Sequence, residues 1–296
     1  LKSVSNTDLL DTRNATTMAN MFNFDKALAN ISVTTWNVSK VTDMSNMFYC
    51  CDSLPSIDLK PNTCAAKDGS GQYTAWNTAS LKNTSGMFMD YGGENHALTT
   101  VDTTGWDTSK LEDTNYMFME CRGLTAVKGI ESWNVSSLKD AHNMFQDCQS
   151  LQTINVSDWN TASLENTSVM FSSCHSLRSI DITKWDMSKV TKSNAMFSYC
   201  KSFTELTLPK SLVVIGERFA GYCPKLTTIT FNHPAGANIQ MSSSAFIVEN
   251  NGKNEGATGY IEYTPVKPLG TKVVTSNAQV LEYDWTSDHR GYVVEI

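Results

Sequence analysis

The sequence of 296 residues has no apolar run approaching the roughly 18 residues that a membrane-spanning helix needs, so nothing in it inserts into a bilayer as a helix. Basic residues are in deficit: 23 Lys and Arg stand against 30 Asp and Glu, a formal charge of −7. The lysines are scattered, so no basic face for nucleic acid can be drawn. Histidine is scarce as well. The five, His96, His142, His175, His233 and His289, fall at unrelated places and define no constellation for acid–base chemistry. There is no G-x-S-x-G elbow and no glycine loop for phosphate. Cys174-His175 has no C-x2-C pair or second paired motif to complete a metal site. These absences predict a chain that is not an enzyme and has no cofactor or resident metal. No apolar leader opens the sequence either; LKSVSNTDLLDTRNA is polar. That start predicts a mature or trimmed ectodomain, with any export signal or wall anchor outside it.

What the sequence does contain is repetition. Met-Phe recurs at residues 21, 47, 87, 117, 144, 170 and 196, with spacings of 26, 40, 30, 27, 26 and 26. Tryptophan keeps the same beat. Trp36, Trp76, Trp106, Trp133, Trp159 and Trp185 precede Met47, Met87, Met117, Met144, Met170 and Met196 by one constant offset. The stretch Trp159 to Ile182, WNTASLENTSVMFSSCHSLRSIDI, shows the full unit, and a fixed period in the mid-twenties means a stack of coils of leucine-rich-repeat type.

After each cysteine the apolar positions read L-x-x-[IV]-x-[LVI], as in Leu54, Ile57, Leu59 and in Leu177, Ile180, Ile182. That is one short strand, and its alternation points Ile154 and Val156 inward while Asn155 faces solvent. Asp43, Asn83, Asp113, Asp140 and Asn166, seven residues after a tryptophan, can cap free backbone N–H groups. A short helix or 3₁₀ turn is expected there, kept short by the Ser, Thr and Asn content. The expected fold is therefore an α/β repeat: a right-handed leucine-rich-repeat-like solenoid with one short parallel strand and a short helix or 3₁₀ turn per coil, capped at the C-terminus. A single coil cannot bury enough to fold alone, so stability must come from like residues stacking on like. The 41% hydrophobic content suffices for one continuous core.

The run WDMSKVTKSNAMFSYC from Trp185 to Cys200 resembles the 26-residue repeat of bacterial surface proteins. The segment LTLPKSLVVIGERFAGYCPKLTTITF, Leu206 to Phe231, is similar to the shorter repeat of BspA-like leucine-rich-repeat proteins. The likeness covers roughly residues 8 to 265 and divides the chain into a degenerate N-terminal coil (1–22), a solenoid of 26-residue type (23–208), shorter BspA-type repeats (209–249) and a C-terminal cap (250–296). In that tail, Tyr260–Thr264, Val273–Thr275 and Tyr292–Ile296 read as strands, with Leu281, Tyr283 and Trp285 placed to cover the last coil.

Of the eight cysteines, Cys51, Cys121, Cys148, Cys174 and Cys200 hold one repeat position and Cys223 a related one. A residue recurring at a core position is a small buried hydrophobe, so a ladder of free thiols is expected. Cys50 and Cys64 stand outside it, and Cys64, in an insertion, is open to pairing or exposure.

Two insertions break the period. KPNTCAAKDGSGQYTA (Lys60 to Ala75) stretches the Met-Phe spacing from 26 to 40, and MDYGGENHA (Met89 to Ala97) stretches the next one to 30. They lie in adjacent coils, which could bring them into one patch. Binding residues concentrate on loops held by a rigid scaffold, which nominates Tyr73, Asp90, Tyr91, Glu94 and His96. The solvent side of the strands, with Asp58, Asp102, Asn155 and Asp181, is a second, polar candidate face. The resemblance implies a non-enzymatic, extracellular or cell-surface bacterial protein for adhesion or protein binding. Its partner would be a host or bacterial protein, or a glycan, met by a monomer. A spacer or stalk within a larger surface protein is the alternative. A carbohydrate-binding module is another, and it requires an aromatic platform that the repeat pattern does not display.

Overall fold

A computed structural model describes residues 2–4, 6–66, 69–92, 97–234, 237–242 and 245–246, with side chains except at residues 8 and 238, and the backbone of 272–275, 280–281 and 292–295. In chain order the strands are β1 (Ser3–Val4), β2 (Asn30–Ile31), β3 (Ser56–Asp58), β4 (Asn62–Ala65), β5 (Gln72–Ala75), β6 (Thr100–Asp102), β7 (Ala126–Lys128), β8 (Glu205–Leu208), β9 (Val214–Ile215), β10 (Thr228–Phe231), β11 (Asn238–Met241), β12 (Lys272–Thr275), β13 (Val280–Leu281) and β14 (Tyr292–Glu295). Parallel pairing runs β1 on β2, β3 on β6 on β7, and β8 on β10 on β12. The register sets Ile57 beside Val101 beside Val127. In the tail, β13 and β14 add antiparallel edges to β12 and β11. Residues Tyr260–Thr264, Tyr283 and Trp285 lie outside the described residues.

The stack is a parallel solenoid, but its return path is not helical. Among the described residues the helical elements are two 3₁₀ turns, Thr7–Leu9 and Ile130–Ser132. Where the sequence predicts a short helix or 3₁₀ turn, each coil instead lays a second ladder against the next. Thr17, Asp43, Asn83, Asp113, Asp140, Asn166 and Lys192 are joined in sequence by parallel bridges. Beyond the bridge, alternate N–H groups leave the coil: Met44, Asn46, Phe48 and Cys50 donate to the carbonyls of Asn83, Ser85, Met87 and Met89 at 2.8–2.9 Å. The N–H groups between them close turns within the coil, Met47 on Met44, Tyr49 on Asn46 and Cys51 on Phe48.

A helix would keep all of these donors to itself; here alternate ones are shared with the neighbour and none of them is orphaned. Left-handed residues recur at two positions four apart, Asn46 and Cys50, Tyr116 and Glu120, Asn143 and Asp147, Val169 and Ser173, Ala195 and Tyr199. Alternating handedness is what rules out the helix. Asn tolerates this region, whereas Val169 at φ 61° is a β-branched residue held there by its neighbours.

At the corners of most coils a side-chain carboxylate or amide accepts the N–H two residues on. Asn37 takes Ser39, Asp107 takes Ser109 and Asn160 takes Ala162 after the tryptophan. Asp43, Asn83, Asp113, Asp140 and Asn166 do the same at the start of the second ladder. Strand pairing, by contrast, is not continuous. Leu151–Val156 and Leu177–Ile182 form no regular strand, Ile154 and Ile180 are half-buried, and sparse main-chain bonds of 3.1–3.4 Å link these coils. Register there is held by the turn ladder and the side-chain columns, which run through without a break.

Those columns are the core. Successive Phe rings at 22, 48, 88, 118, 145, 171 and 197 stack 5.2–5.7 Å apart and within 3–12° of parallel. Indoles from Trp76 to Trp185 stack at 5.8–6.2 Å. Each buried indole N–H must find an acceptor. It donates to the preceding coil: Trp106 to Leu59 O, Trp133 to Thr103 Oγ1, Trp159 to Ile130 O and Trp185 to Val156 O.

The cysteines behave likewise. Cys51, Cys121, Cys148, Cys174, Cys200 and Cys223 are free and buried, and each thiol donates to the phenylalanine carbonyl of the coil before at 3.0–3.2 Å. Burial pushes the Cys51 and Cys223 thiols up to about 12 and the others of the ladder upward as well. Thiolate is the reactive form, so the ladder is inert. Cys64 is half-exposed, with its thiol on Asn62 Oδ1 at 2.8 Å. In the native protein an alkylating reagent at mildly alkaline pH is expected to label Cys64 fast and to reach the ladder cysteines only after unfolding. Peptide mapping of the labelled sites checks this.

One rung of the bridge ladder is electrostatically poor. Burial raises the Asp113 carboxyl above its usual range, against the lowering effect of the Asn115 N–H, and the neighbouring carboxylate of Asp140 adds to the rise. A raised folded pKa in an acid means that ionisation works against the fold; the cost is absent well below the unfolded value and complete above the folded one. Asn83 and Asn166 hold the same position without charge. Asp113→Asn is expected to raise the melting temperature at neutral pH, with the gain shrinking as the pH falls through the carboxylate range.

Candidate partner-binding surface

The polar strand face is engaged by its own turns. Asp58, Asp102, Asn155 and Asp181 each accept the N–H two residues on, from Lys60, Thr104, Ser157 and Thr183, at 3.0–3.3 Å. Asp58 and Asp102 are paired in register, and Lys60 Nζ lies between them at 3.4 and 3.6 Å. The hydroxyl and N–H of Thr183 hold the Asp181 carboxyl below its usual range. These four residues cap corners, and the face they form is polar and partly charge-neutralised.

The longer insertion folds as the antiparallel hairpin β4–β5. Tyr73 is half-buried on β5, its hydroxyl donates to Thr35 O, and Asn62 Nδ2 donates to Thr34 O at 2.7 Å. Tyr73 and Asn62 thus fasten the hairpin to the segment Thr34–Thr35, just before Trp36. The shorter insertion sits elsewhere on the coil. Tyr91 N–H donates to Cys50 Sγ at 3.3 Å and Ala97 N–H to Asp52 O at 3.4 Å. The two insertions therefore touch different corners rather than one patch, because Thr35 stands just before the tryptophan of its coil whereas Cys50 closes the turn ladder. Asp90 is buried, Tyr91 is 60% exposed, and Glu94 and His96 lie outside the described residues.

Cys50, Asp52 and Asp90 bring three ligand atoms within 4.8 Å of one another. Lys26 Nζ already stands 3.5 Å from Asp52, and burial raises the Cys50 thiol. A cation there would have to displace the ammonium and ionise a reluctant thiol.

The turn ladder carries what the repeat pattern does not show. Two outward columns run along it: Asn23, Tyr49, Met89, Met119, which follow the Met-Phe pairs, and Asn20, Asn46, Gly86, Tyr116, the first left-handed position. Asn23, Asn46, Tyr49, Met89 and Tyr116 enclose an open groove of about 320 Å³. Its tyrosines are braced from outside. Phe24 meets Tyr49 edge-on at 5.0 Å, and His142 meets Tyr116 edge-on at 4.5 Å. Burial raises the Tyr49 phenol, helped by Cys50, and the Tyr91 N–H on Cys50 Sγ at 3.3 Å sets the exposed loop tyrosine beside this groove. Phe24 (59% exposed) and Met21 (43%) extend the apolar surface towards the N-terminal end. The nearby acids are paired, since Arg122 binds Asp147 at 2.6 Å and Glu120 at 3.2 Å. The clue in the sequence is that these columns are Gln146, Ser172 and Ser198 in later coils but Tyr49, Met89 and Met119 in earlier ones.

A family model described as "Mycoplasma protein of unknown function, DUF285" matches residues 2–104, 66–126 and 93–209. A search of curated proteins finds no match. Among solved structures, a leucine-rich repeat protein from Bacteroides ovatus ATCC 8483 is similar at 16% identity over 72% of this chain and 75% of that one, with a TM-score of 0.25. The family matches together run from residue 2 to residue 209 of 296, and the chain belongs to the DUF285 family.

Proposed function

We propose that this chain is a non-enzymatic binding module of a bacterial surface protein, with BspA-like repeats, that serves adhesion by docking a protein partner. The observation that carries the reading is the cluster of Phe24, Tyr49, Met89, Tyr91 and Tyr116 on one side of a rigid stack whose strand face is polar. Tyr, Phe and Met are the residues enriched where proteins bind proteins, and scattered exposed apolar side chains alone would carry no such weight. The uninterrupted Trp and Phe columns also suit a stalk, which would hold this cluster away from the cell. Immobilised host extracellular-matrix proteins and bacterial surface extracts, titrated with the purified chain and with Phe24→Ala and Tyr91→Ala variants, test the reading. Saturable binding weakened by both variants supports it. Absence of saturable binding, or binding indifferent to both, sinks it.

A further inference from the structure

We propose that the N-terminal end of the stack is a docking site for one turn segment of this same repeat type, carried by another polypeptide. This goes beyond the aromatic cluster described above and does not depend on it, because its determinants are main-chain carbonyls.

The turn ladder runs one way at every interface. Met18, Asn20, Phe22 and Phe24 donate their N–H groups to the carbonyls of Asp43, Ser45, Met47 and Tyr49. The pattern continues coil by coil to Thr167, Val169, Phe171 and Ser173, which donate to Lys192, Asn194, Met196 and Ser198, always at 2.7–3.1 Å. Each coil thus shows four carbonyls to the coil before it and four N–H groups to the coil after it. The first coil has the same alternating backbone, with Asn20 at φ 59° and Phe24 at φ 61°. Its carbonyls at Thr17, Ala19, Met21 and Asn23 therefore point out of the stack, and no N–H of the described residues reaches them. The N–H groups between them are engaged within the turn, Ala19 on Thr17 Oγ1, Met21 on Met18 O and Asn23 on Asn20 O. In the interior, the N–H groups of Lys82 and Asn83 share the Thr42 carbonyl of the coil before, and Thr16 and Thr17 hold the corresponding places at this end.

Such an edge selects its partner. A β-strand turns both the N–H and the C=O of alternate residues to one side, so strand addition would set carbonyl against carbonyl. A backbone that alternates between right- and left-handed residues turns its N–H groups together instead. The turn of this repeat does so, offering one carbonyl, as at Thr16, and then N–H groups two, four, six and eight residues on.

The side chains agree with the main chain. Met21 is 43% exposed, whereas the later methionines of its column, from Met47 to Met196, are 0% exposed. Leu10, which holds the tryptophan place of the first coil, is exposed beside Leu9. β1 already lies on β2 as the strand side of one more rung, so the partner has only the turn side to supply.

A synthetic peptide copying residues 133–148, with Asn143 and Asp147 at the left-handed positions, should bind the whole chain saturably in calorimetry. N-methylation at the place of Phe145 removes one ladder donor and should weaken binding about tenfold. Met21→Glu in the chain should weaken it as much, while Tyr199→Ala, at the far end of the ladder, leaves it unchanged. In the unmutated chain the peptide should shift the carbonyl carbon resonances of Thr17, Ala19, Met21 and Asn23 and slow hydrogen exchange at Thr16 and Thr17. Absence of saturable binding at millimolar peptide overturns the proposal. So does equal binding of an extended peptide copying residues 226–231, or a response confined to Tyr49, Met89 and Tyr116, which would put the peptide on the aromatic cluster.

Discussion

A Trp159→Ala variant is expected to lose about 3–5 kcal/mol of unfolding free energy through the cavity it leaves, more than any surface change in the chain. The indole is 2% exposed and sandwiched between Trp133 at 6.2 Å and Trp185 at 5.8 Å. Its N–H bonds Ile130 O at 2.9 Å, and because that carbonyl keeps the Trp133 N–H at 3.2 Å the lost bond adds only about 0.5–1.5 kcal/mol. In a linear stack each coil touches only its neighbours, so the damage is not diluted by distant contacts. Urea unfolding followed by far-ultraviolet circular dichroism measures the loss. Hydrogen exchange should show protection falling on both sides, in the coils that begin at Trp133 and Trp185. A loss below about 1 kcal/mol would mean that the columns do not carry the stack.

The columns were legible because each is one residue type at one spacing. Trp, Met-Phe and Cys can keep a common period only if they meet in space, and the structure places the phenylalanines and cysteines of successive coils in contact or in main-chain hydrogen bonds. The turn ladder was not legible. Its left-handed positions are filled by Tyr116, Glu120, Val169 and Ala195 as well as by Asn46 and Gly86, and only the last two types signal positive φ. Seen in sequence, the polar segment after each tryptophan offers caps and no strong strand, which reads as a short helix or 3₁₀ turn; the deciding interaction, sharing alternate N–H groups with the next coil, lies between repeats.

The candidate face was hidden for a related reason. Asp58, Asp102, Asn155 and Asp181 are indistinguishable in sequence from free surface carboxylates and amides, although each is followed two residues on by the N–H it accepts. Tyr49, Met89 and Tyr116 fall at positions that vary from coil to coil, so the repeat pattern treats them as spacers. Only the stacking shows that three variable positions from three coils converge. A repeat scaffold keeps its identity in the invariant columns and its specificity in the variable ones, and an array of this kind is free to change partner without disturbing its core.

Gly129→Ala is the second change expected to be severe, and comparison with Gly105→Ala separates its causes. Both glycines are left-handed, at φ 84° and 85°. Alanine in that region costs about 1–2 kcal/mol at either site. At Gly105 the new Cβ would meet only Pro61 Cδ at 3.4 Å and Cγ at 3.5 Å, ordinary contacts, so dihedral strain is the whole effect. At Gly129 it would stand 2.5 Å from Thr104 Cα and 2.6 Å from Thr104 N. Backbone cannot rotate aside as a side chain does, so the two coils must separate locally, adding roughly 1–3 kcal/mol as overpacking does elsewhere. The separation acts on working bonds. Thr103 N–H and Oγ1 both bond Lys128 O, at 2.9 and 2.8 Å, and the same Oγ1 accepts the Trp133 indole N–H at 3.1 Å. Gly129→Ala should therefore lower the urea midpoint at least twice as far as Gly105→Ala and perturb the fluorescence of the native tryptophan column, which Gly105→Ala should leave alone. Equal midpoints for the two variants would show that dihedral strain alone fixes glycine at position 129, and that the close approach of the coils at Thr104 relaxes without cost.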